Sequence, residues 1–359
     1  MKHILLITEN LGSGGAERQL VGLAALLKEK GYDVTVVTYL EKQFHEKFLH
    51  EHNVEYIFAP QLLNRATRVG RLIKLFKELK PEVVISYLPQ VNQSVCLARL
   101  FHKFHLIVSE RSHTMNFGIR TRLQYLLYSK ANYVVANSYS EAQNIKDHFP
   151  LLKKKTLAIP NFVETERFTL PLTKEVEKKD APTRILCVGR VIVSKNVLRF
   201  LDVIADIIKD GYSVQCKWVG SMYDKAYCEQ VKEKISSLNL QNVVTLQNQT
   251  NDIIEEYQKA DIFCLPSLLE GYPNVLVEAM SCGLPVVCSN VFENPRIVQD
   301  SINGYLFDPK DNVSMGNAIK KCLSLLKTER LSMGRYNRGC VLNNNSAENF
   351  VQQYIRLFE

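Results

Sequence analysis

The sequence predicts an α/β protein of two doubly wound domains, and three observations carry that expectation. Short apolar β-rich runs alternate with helical patterns, a polar charged stretch interrupts them near the middle, and the alternation then restarts. The length agrees: at 359 residues the chain exceeds the size at which one core keeps growing, so two domains of roughly 150 to 200 residues are the default.

In the first part strands are predicted near residues 3 to 8, 33 to 38, 54 to 58, 82 to 86, 105 to 109 and 132 to 136, with helices between them. Helical crossovers imply parallel sheets. The stretch TLPLTKEVEKKDAPT, 169 to 183, reads as an interdomain linker, which bounds a first domain at 1 to 168. Strands then follow near 184 to 189, 214 to 219, 243 to 246, 261 to 265, 284 to 288 and 304 to 307, giving a second domain at 184 to 344. The remaining residues, 345 to 359, hold an amphipathic helical pattern expected to pack back on the first domain.

Composition narrows the classes. No apolar stretch reaches the ~18 to 20 residues of a membrane span, and the start, MKHILLITENLGSGG, turns polar too soon for a signal peptide. Nine scattered cysteines without a CxxC pair suit small buried hydrophobes in a reducing cytoplasm better than disulfides or a zinc site. Charge is lopsided: residues 1 to 163 carry 22 Lys and Arg against 13 Asp and Glu, the remainder 23 against 24. One half is therefore expected to face something anionic.

Three segments carry chemistry. After the first strand, Gly12, Gly14 and Gly15 open a helix, where backbone N–H groups can approach a phosphate. A tight turn without ligand is the bland alternative. A nicotinamide site is the rival, although Glu17 and Arg18 stand where its third glycine belongs. After the second domain's first strand, CVGRVIVSKNV places Arg190 and Lys195 before a helix, a pair suited to a diphosphate that gains charge. The stretch SLLEGYPNVLVEAMSCGLPVV then sets Glu270 in a loop past a strand and Glu278 one turn into a helix that starts near Pro273 and stops at Gly283. Either the two carboxylates pair locally, or they serve a ligand at the carboxyl edge of a parallel sheet.

Four segments in order, GSGGAERQL, PNFVETERF (160 to 168), VGR with SKN (188 to 196) and PSLLEGYPNVLVEAMSCGLPVV, resemble a family 4 (group 1) retaining glycosyltransferase of the GT-B fold, similar to polysaccharide and O-antigen assembly enzymes. The resemblance implies two Rossmann-like domains facing a cleft, a nucleotide-sugar donor and no bound metal or other cofactor. Arg190 and Lys195 would hold the diphosphate, Glu278 the ribose hydroxyls and Glu270 the donor sugar. Gly271, Tyr272, Pro273, Asn274 and Val275 would wrap the donor with main-chain groups, and Gly14 and Gly15 would close on the phosphates from the first domain.

The sequence departs from the family at VSERSHTMNFG, where relatives carry His followed by Asp; Arg111 or His113 takes that place, and the alignment does not choose. The turns VGSMYD and QNQTND also depart, which loosens the expectation about the base. A basic helix, NRATRVGRLIKLFKELK (64 to 80), offers Arg68, Arg71 and Lys74 either to solvent or to an anionic membrane. Nothing in the pattern suggests nucleic acid.

The expected function is transfer of a hexose or N-acetylhexosamine from a UDP-sugar to a polyprenyl-diphosphate-linked or envelope glycan, at the inner face of the cell membrane. A UDP-sugar 2-epimerase and a non-catalytic sugar-nucleotide-binding protein are the alternatives.

Overall fold

The computed structural model describes residues 2–171, 181–250 and 252–359. Residues 172–180, most of the expected linker, lie outside them. The chain divides into two compact units, Met1–Phe162 with Ala347–Glu359, and Val163–Ser346.

The first unit runs β1 (His3–Ile7), α1 (Gly15–Glu29), β2 (Asp33–Thr38), α2 (Glu46–Glu51), β3 (Glu55–Phe58), α3 (Arg68–Leu79), β4 (Val83–Tyr87), α4 (Pro89–Ala98), β5 (His105–Glu110), α5 (Ile119–Tyr128), β6 (Tyr133–Ala136), α6 (Tyr139–His148) and β7 (Thr156–Ala158). These strands form a parallel sheet in the order β3-β2-β1-β4-β5-β6-β7. Six were expected. The seventh, β7, is three residues long, too short to show a period-two pattern, and exists because it pairs with β6.

The second unit runs β8 (Thr183–Val188), α7 (Val197–Lys209), β9 (Val214–Val219), α8 (Lys225–Ser237), β10 (Val244–Gln247), α9 (Ile253–Lys259), β11 (Ile262–Leu265), α10 (Asn274–Ser281), β12 (Val286–Ser289), α11 (Asn294–Ile297), β13 (Gly304–Phe307), α12 (Asn312–Ser324) and α13 (Lys327–Asn344). Its sheet, also parallel, has the order β10-β9-β8-β11-β12-β13. Strand order reverses between β1 and β4 in the first sheet and between β8 and β11 in the second. Loops at such reversals diverge and open a crevice at the carboxyl edge, where ligands of this architecture bind.

The final helix, α14 (Ala347–Ile355), belongs to the first unit. Phe350, Val351, Tyr354 and Ile355 bury themselves beside Leu20 and Leu23 of α1, and Glu348 pairs with Lys30 at 2.8 Å. The unit boundary falls earlier than the composition suggested. Residues 163–168 join the second unit because Val163 and Phe168 pack in its core and Arg338 donates to Phe168 O at 2.9 Å. A polar stretch marks where the chain leaves a surface, whereas core contacts mark where a unit begins.

All nine cysteines are free thiols, eight of them buried. Burial pushes the thiols of Cys96, Cys282 and Cys322 up to about 12, so they stay protonated and pack as hydrophobes.

The expected basic helix is α3, and it does not present its charges as one face. Arg68 is buried, with its Nε donating to Leu62 O at 2.7 Å and its guanidinium 4.6 Å from the Tyr39 ring centroid. It anchors the preceding turn and cannot contact a membrane. Arg71 donates to Gln61 O yet stays exposed, and Lys74 is exposed 3.9 Å from Glu78. Three cations spaced along a helix looked alike in sequence; the fold uses two of them to hold backbone carbonyls.

Candidate active site

In the second unit the loops after β8 and β11, on either side of the strand reversal, are bound to each other. Asn196 adopts left-handed backbone (φ 62°) and caps the start of α7. Its buried side-chain amide donates to Pro266 O at 3.1 Å and Pro309 O at 2.8 Å, and Leu268 N–H donates to Ser194 O at 2.8 Å. Asparagine tolerates this backbone region better than most residues. The SKN motif thus has a physical reason for its third residue, one that the sequence reading left unassigned.

These ties bring Lys195 and Glu270 together. Lys195 Nζ lies 2.5 Å from Glu270 Oε1, with side chains 16% and 10% exposed. The two residues expected to serve the diphosphate and the donor sugar are therefore ion-paired across 75 positions of sequence. Arg190 stands exposed on the same loop. The loop also depends on a close backbone approach: a Cβ on Gly220, after β9, would fall 2.0 Å from Gly189 O. Gly189 O in turn accepts from Trp218 Nε1 at 2.8 Å.

Beyond Glu270 the chain turns through Gly271, Tyr272 and Pro273 into α10, whose N-cap is Pro273. Not every member of this turn can serve as a main-chain donor. Proline has no N–H, and Asn274 N–H already donates to Tyr272 O at 3.0 Å. The Tyr272 hydroxyl accepts from Asn345 Nδ2 at 2.5 Å, which fixes that ring within the unit. That contact does not involve the Tyr272 main chain, so Gly271, Tyr272 and Val275 remain suited to the role, Val275 because the first-turn N–H groups of a helix lack intrahelical acceptors. The helix ends as expected: Leu284 N–H reaches Ala279 O at 3.1 Å, Gly283 N–H reaches Met280 O at 3.0 Å, and Gly283 has φ +74°.

Glu278, one turn into α10, is buried, and its Oε2 accepts from the Tyr257 hydroxyl at 3.0 Å. Tyr257 lies on α9 and is fully buried. It also approaches Val275 O at 3.3 Å, so it braces both the carboxylate and the helix start. Nothing local in the sequence marks Tyr257 for this task.

In the first unit Gly14 caps α1 and Gly15 begins it, both exposed. The chain's own carboxylate already lies over this helix end: a Cβ on Gly14 would sit 2.2 Å from Glu17 Oε2. Burial raises the Glu17 carboxyl above its usual value. A phosphate at Gly14 and Gly15 would have to displace this side chain.

Arg111 and His113 follow β5 and have different surroundings. Arg111 sits 4.8 Å from the Tyr87 ring centroid, donates to Asn161, and has its carbonyl held by Asn137 Nδ2 at 3.0 Å. It fastens the end of β5 to the PNF segment. His113 Nδ1 lies 2.8 Å from Glu141 Oε2, and Glu141 also accepts from Thr114 N at 3.0 Å and Asn144 Nδ2 at 3.1 Å. Burial raises the Glu141 carboxyl, yet these hydrogen bonds outweigh it and hold it below its usual value. The ring of His113 is oriented by a fixed buried charge.

A second buried carboxylate, Glu110, ends β5 and accepts from the Tyr128 hydroxyl and from Asn92 Nδ2 at 3.4 Å. Burial pushes its carboxyl up to about 7, against the lowering effect of Tyr128. The folded state thus keeps a proton that the unfolded chain releases near 4.5, and stability falls as pH rises through that window. Glu110→Gln is expected to flatten this fall, so its melting temperature relative to wild type should climb between about pH 5 and about pH 8. Parallel melting curves of the two proteins across that range would show that Glu110 is ionised in the fold.

Among the described residues no helix is long and apolar enough to cross a membrane.

Residues 13–167 match the family described as Glycosyltransferase Family 4, and residues 171–339 match Glycosyl transferases group 1. The amylovoran biosynthesis glycosyltransferase AmsD of Erwinia amylovora is 26% identical, over 87% of this chain and 87% of its own. A Campylobacter jejuni enzyme is 24% identical over 90% of each chain. Its name is N-acetylgalactosamine-N,N'-diacetylbacillosaminyl-diphospho-undecaprenol 4-alpha-N-acetylgalactosaminyltransferase. Among solved structures, a glycosyltransferase from Rickettsia africae superposes with a TM-score of 0.88 at 20% identity, covering 99% of this chain and 97% of that one. Anabaena HepE in complex with UDP gives 0.87 at 18% identity, covering 99% of both chains. Each unit matches one half of a glycosyltransferase, in chain order and on the same pair of parallel sheets; the protein belongs to the family 4, group 1 glycosyltransferases of the GT-B fold.

Proposed function

We propose that the protein transfers a hexose or N-acetylhexosamine from a UDP-sugar, with retention of anomeric configuration, to a polyprenyl-diphosphate-linked or related envelope glycan. The observation that carries this reading is the Lys195–Glu270 pair, held at the strand reversal by Asn196 with Arg190 beside it. In this reading the donor's diphosphate takes over Lys195, and Glu270 turns to the sugar hydroxyls. As the bond between the anomeric carbon and the phosphate oxygen stretches, negative charge builds on the departing UDP. Arg190 and Lys195, rather than a bound metal, meet that charge. Glu278, braced by Tyr257, accepts from the ribose, and the amides of Gly271 and Val275 approach the donor. Of the two first-unit candidates, His113, oriented by Glu141, is assigned the sugar contact in this reading, because Arg111 is engaged in holding β5.

The acceptor class is supported by relatives whose names specify diphospho-undecaprenol glycans, and UDP by a neighbour solved with it. Work on a lipid-linked acceptor places the protein peripherally at the inner face of the cell membrane in this reading. The test is incubation of the purified protein with a panel of UDP-sugars, with and without lipid-linked acceptor extract. UDP release that depends on acceptor is the expected result. Isomerised sugar without UDP release would replace this reading with an epimerase, and binding without turnover with a non-catalytic role.

A further inference from the structure

We propose that α5 and the loop before it form a docking face that inserts apolar side chains into an anionic lipid bilayer. The inference deepens the peripheral-membrane part of the reading above and rests on a different surface from the one the sequence suggested. The inner side of α5 is ordinary: Tyr125 and Tyr128 are buried and bonded to Glu141 and Glu110. Its outer side is not. Ile119 is 79% exposed, Leu123 56% and Leu126 54%, and Met115 in the preceding loop is 68% exposed. At 3.6 residues per turn, positions 119, 123 and 126 fall on one stripe about 60° wide, opposite the two tyrosines. A surface helix normally turns polar residues outward, and an aligned exposed apolar stripe marks an interaction site.

Charge identifies the partner. Exposed Arg120 and Arg122 flank the stripe, and Lys130 follows it. From residue 111 to residue 130 there is no Asp or Glu. Apolar tips between cations match the boundary between acyl chains and anionic headgroups. A second copy of this chain is a poorer partner, because a two-fold contact sets the same patch against itself and would oppose the arginines. The other cationic helix, α3, lacks this combination: Leu72 and Phe76 point into the core and Arg68 is buried.

The experiment is co-sedimentation of the full chain with phosphatidylcholine vesicles, with or without about 30% phosphatidylglycerol. Wild type is expected to bind the anionic vesicles. Ile119→Ser with Leu123→Ser should weaken that binding about tenfold or more, and Arg120→Gln with Arg122→Gln should weaken it several-fold and remove most of its salt dependence. Arg71→Gln with Lys74→Gln should change it little. The proposal is overturned if wild type does not bind, or if the apolar double variant binds as wild type does. It is also overturned if light scattering shows a dimer that the apolar variant dissolves while vesicle binding is unchanged. UDP binding measured without vesicles tests the donor site separately, so failure of one reading is distinguishable from failure of the other.

Discussion

Lys195→Ala is expected to lower kcat by about 100- to 1,000-fold, the cost of removing one preorganised group from a site of developing charge. The structure adds a second effect. Glu270 is only 10% exposed and its partner is Lys195, so the single variant leaves a buried carboxylate without its cation and loses stability, by up to about 3 kcal/mol. A loss of activity alone would therefore confuse unfolding with chemistry. The double variant Lys195→Ala with Glu270→Gln resolves the ambiguity, because it removes the stranded charge without restoring the cation. Its melting temperature should return toward wild type while kcat stays low. Near-normal turnover by the folded single variant would remove Lys195 from the diphosphate. Recovery of both properties in the double variant would mean that the pair is structural only.

Glu278→Ala is expected to raise KM for the donor by about 10- to 100-fold, the range for a lost hydrogen bond to a charged group. It should also erase most of the preference for UDP over its deoxyribose analogues. The carboxylate does not stand alone: the Tyr257 hydroxyl, 3.0 Å away, holds it in place from a fully buried ring. Tyr257→Phe keeps the ring and removes only that hydroxyl, so a smaller rise in KM with kcat little changed should follow. Undiminished discrimination between ribose and deoxyribose by the Glu278 variant would move the ribose site elsewhere.

Much of this was legible in the chain. Twelve strand positions, the start of α10 at Pro273 and its stop at Gly283 all follow from local pattern, since apolar periodicity and turn residues act over a few positions. Motif spacing likewise put Arg190, Lys195, Glu270 and Glu278 at one sheet edge. What escaped were features whose cause lies in distant contacts. The strand β7 exists because β6 is beside it. Tyr257 matters because α9 packs near α10, and Glu141 because it meets the loop after β5.

Charge shows the division most clearly. Composition established that the first part of the chain is basic, and nothing more than the count is needed for that. It did not say which cations the fold consumes. Arg68, a surface charge by its spacing, is buried on a backbone carbonyl of the first unit, and exposed Arg71 is tied to another, while Arg120 and Arg122 stay outside beside an apolar stripe. The sequence alone determined two parallel α/β units, and it put the loop of Arg190 and Lys195 at the same edge of the second unit as two carboxylates, because those depend on short-range order. Only the tertiary structure decided that Lys195 meets Glu270 across 75 residues, and which helix turns its hydrophobes outward, because partners chosen through space leave no periodic trace along the chain.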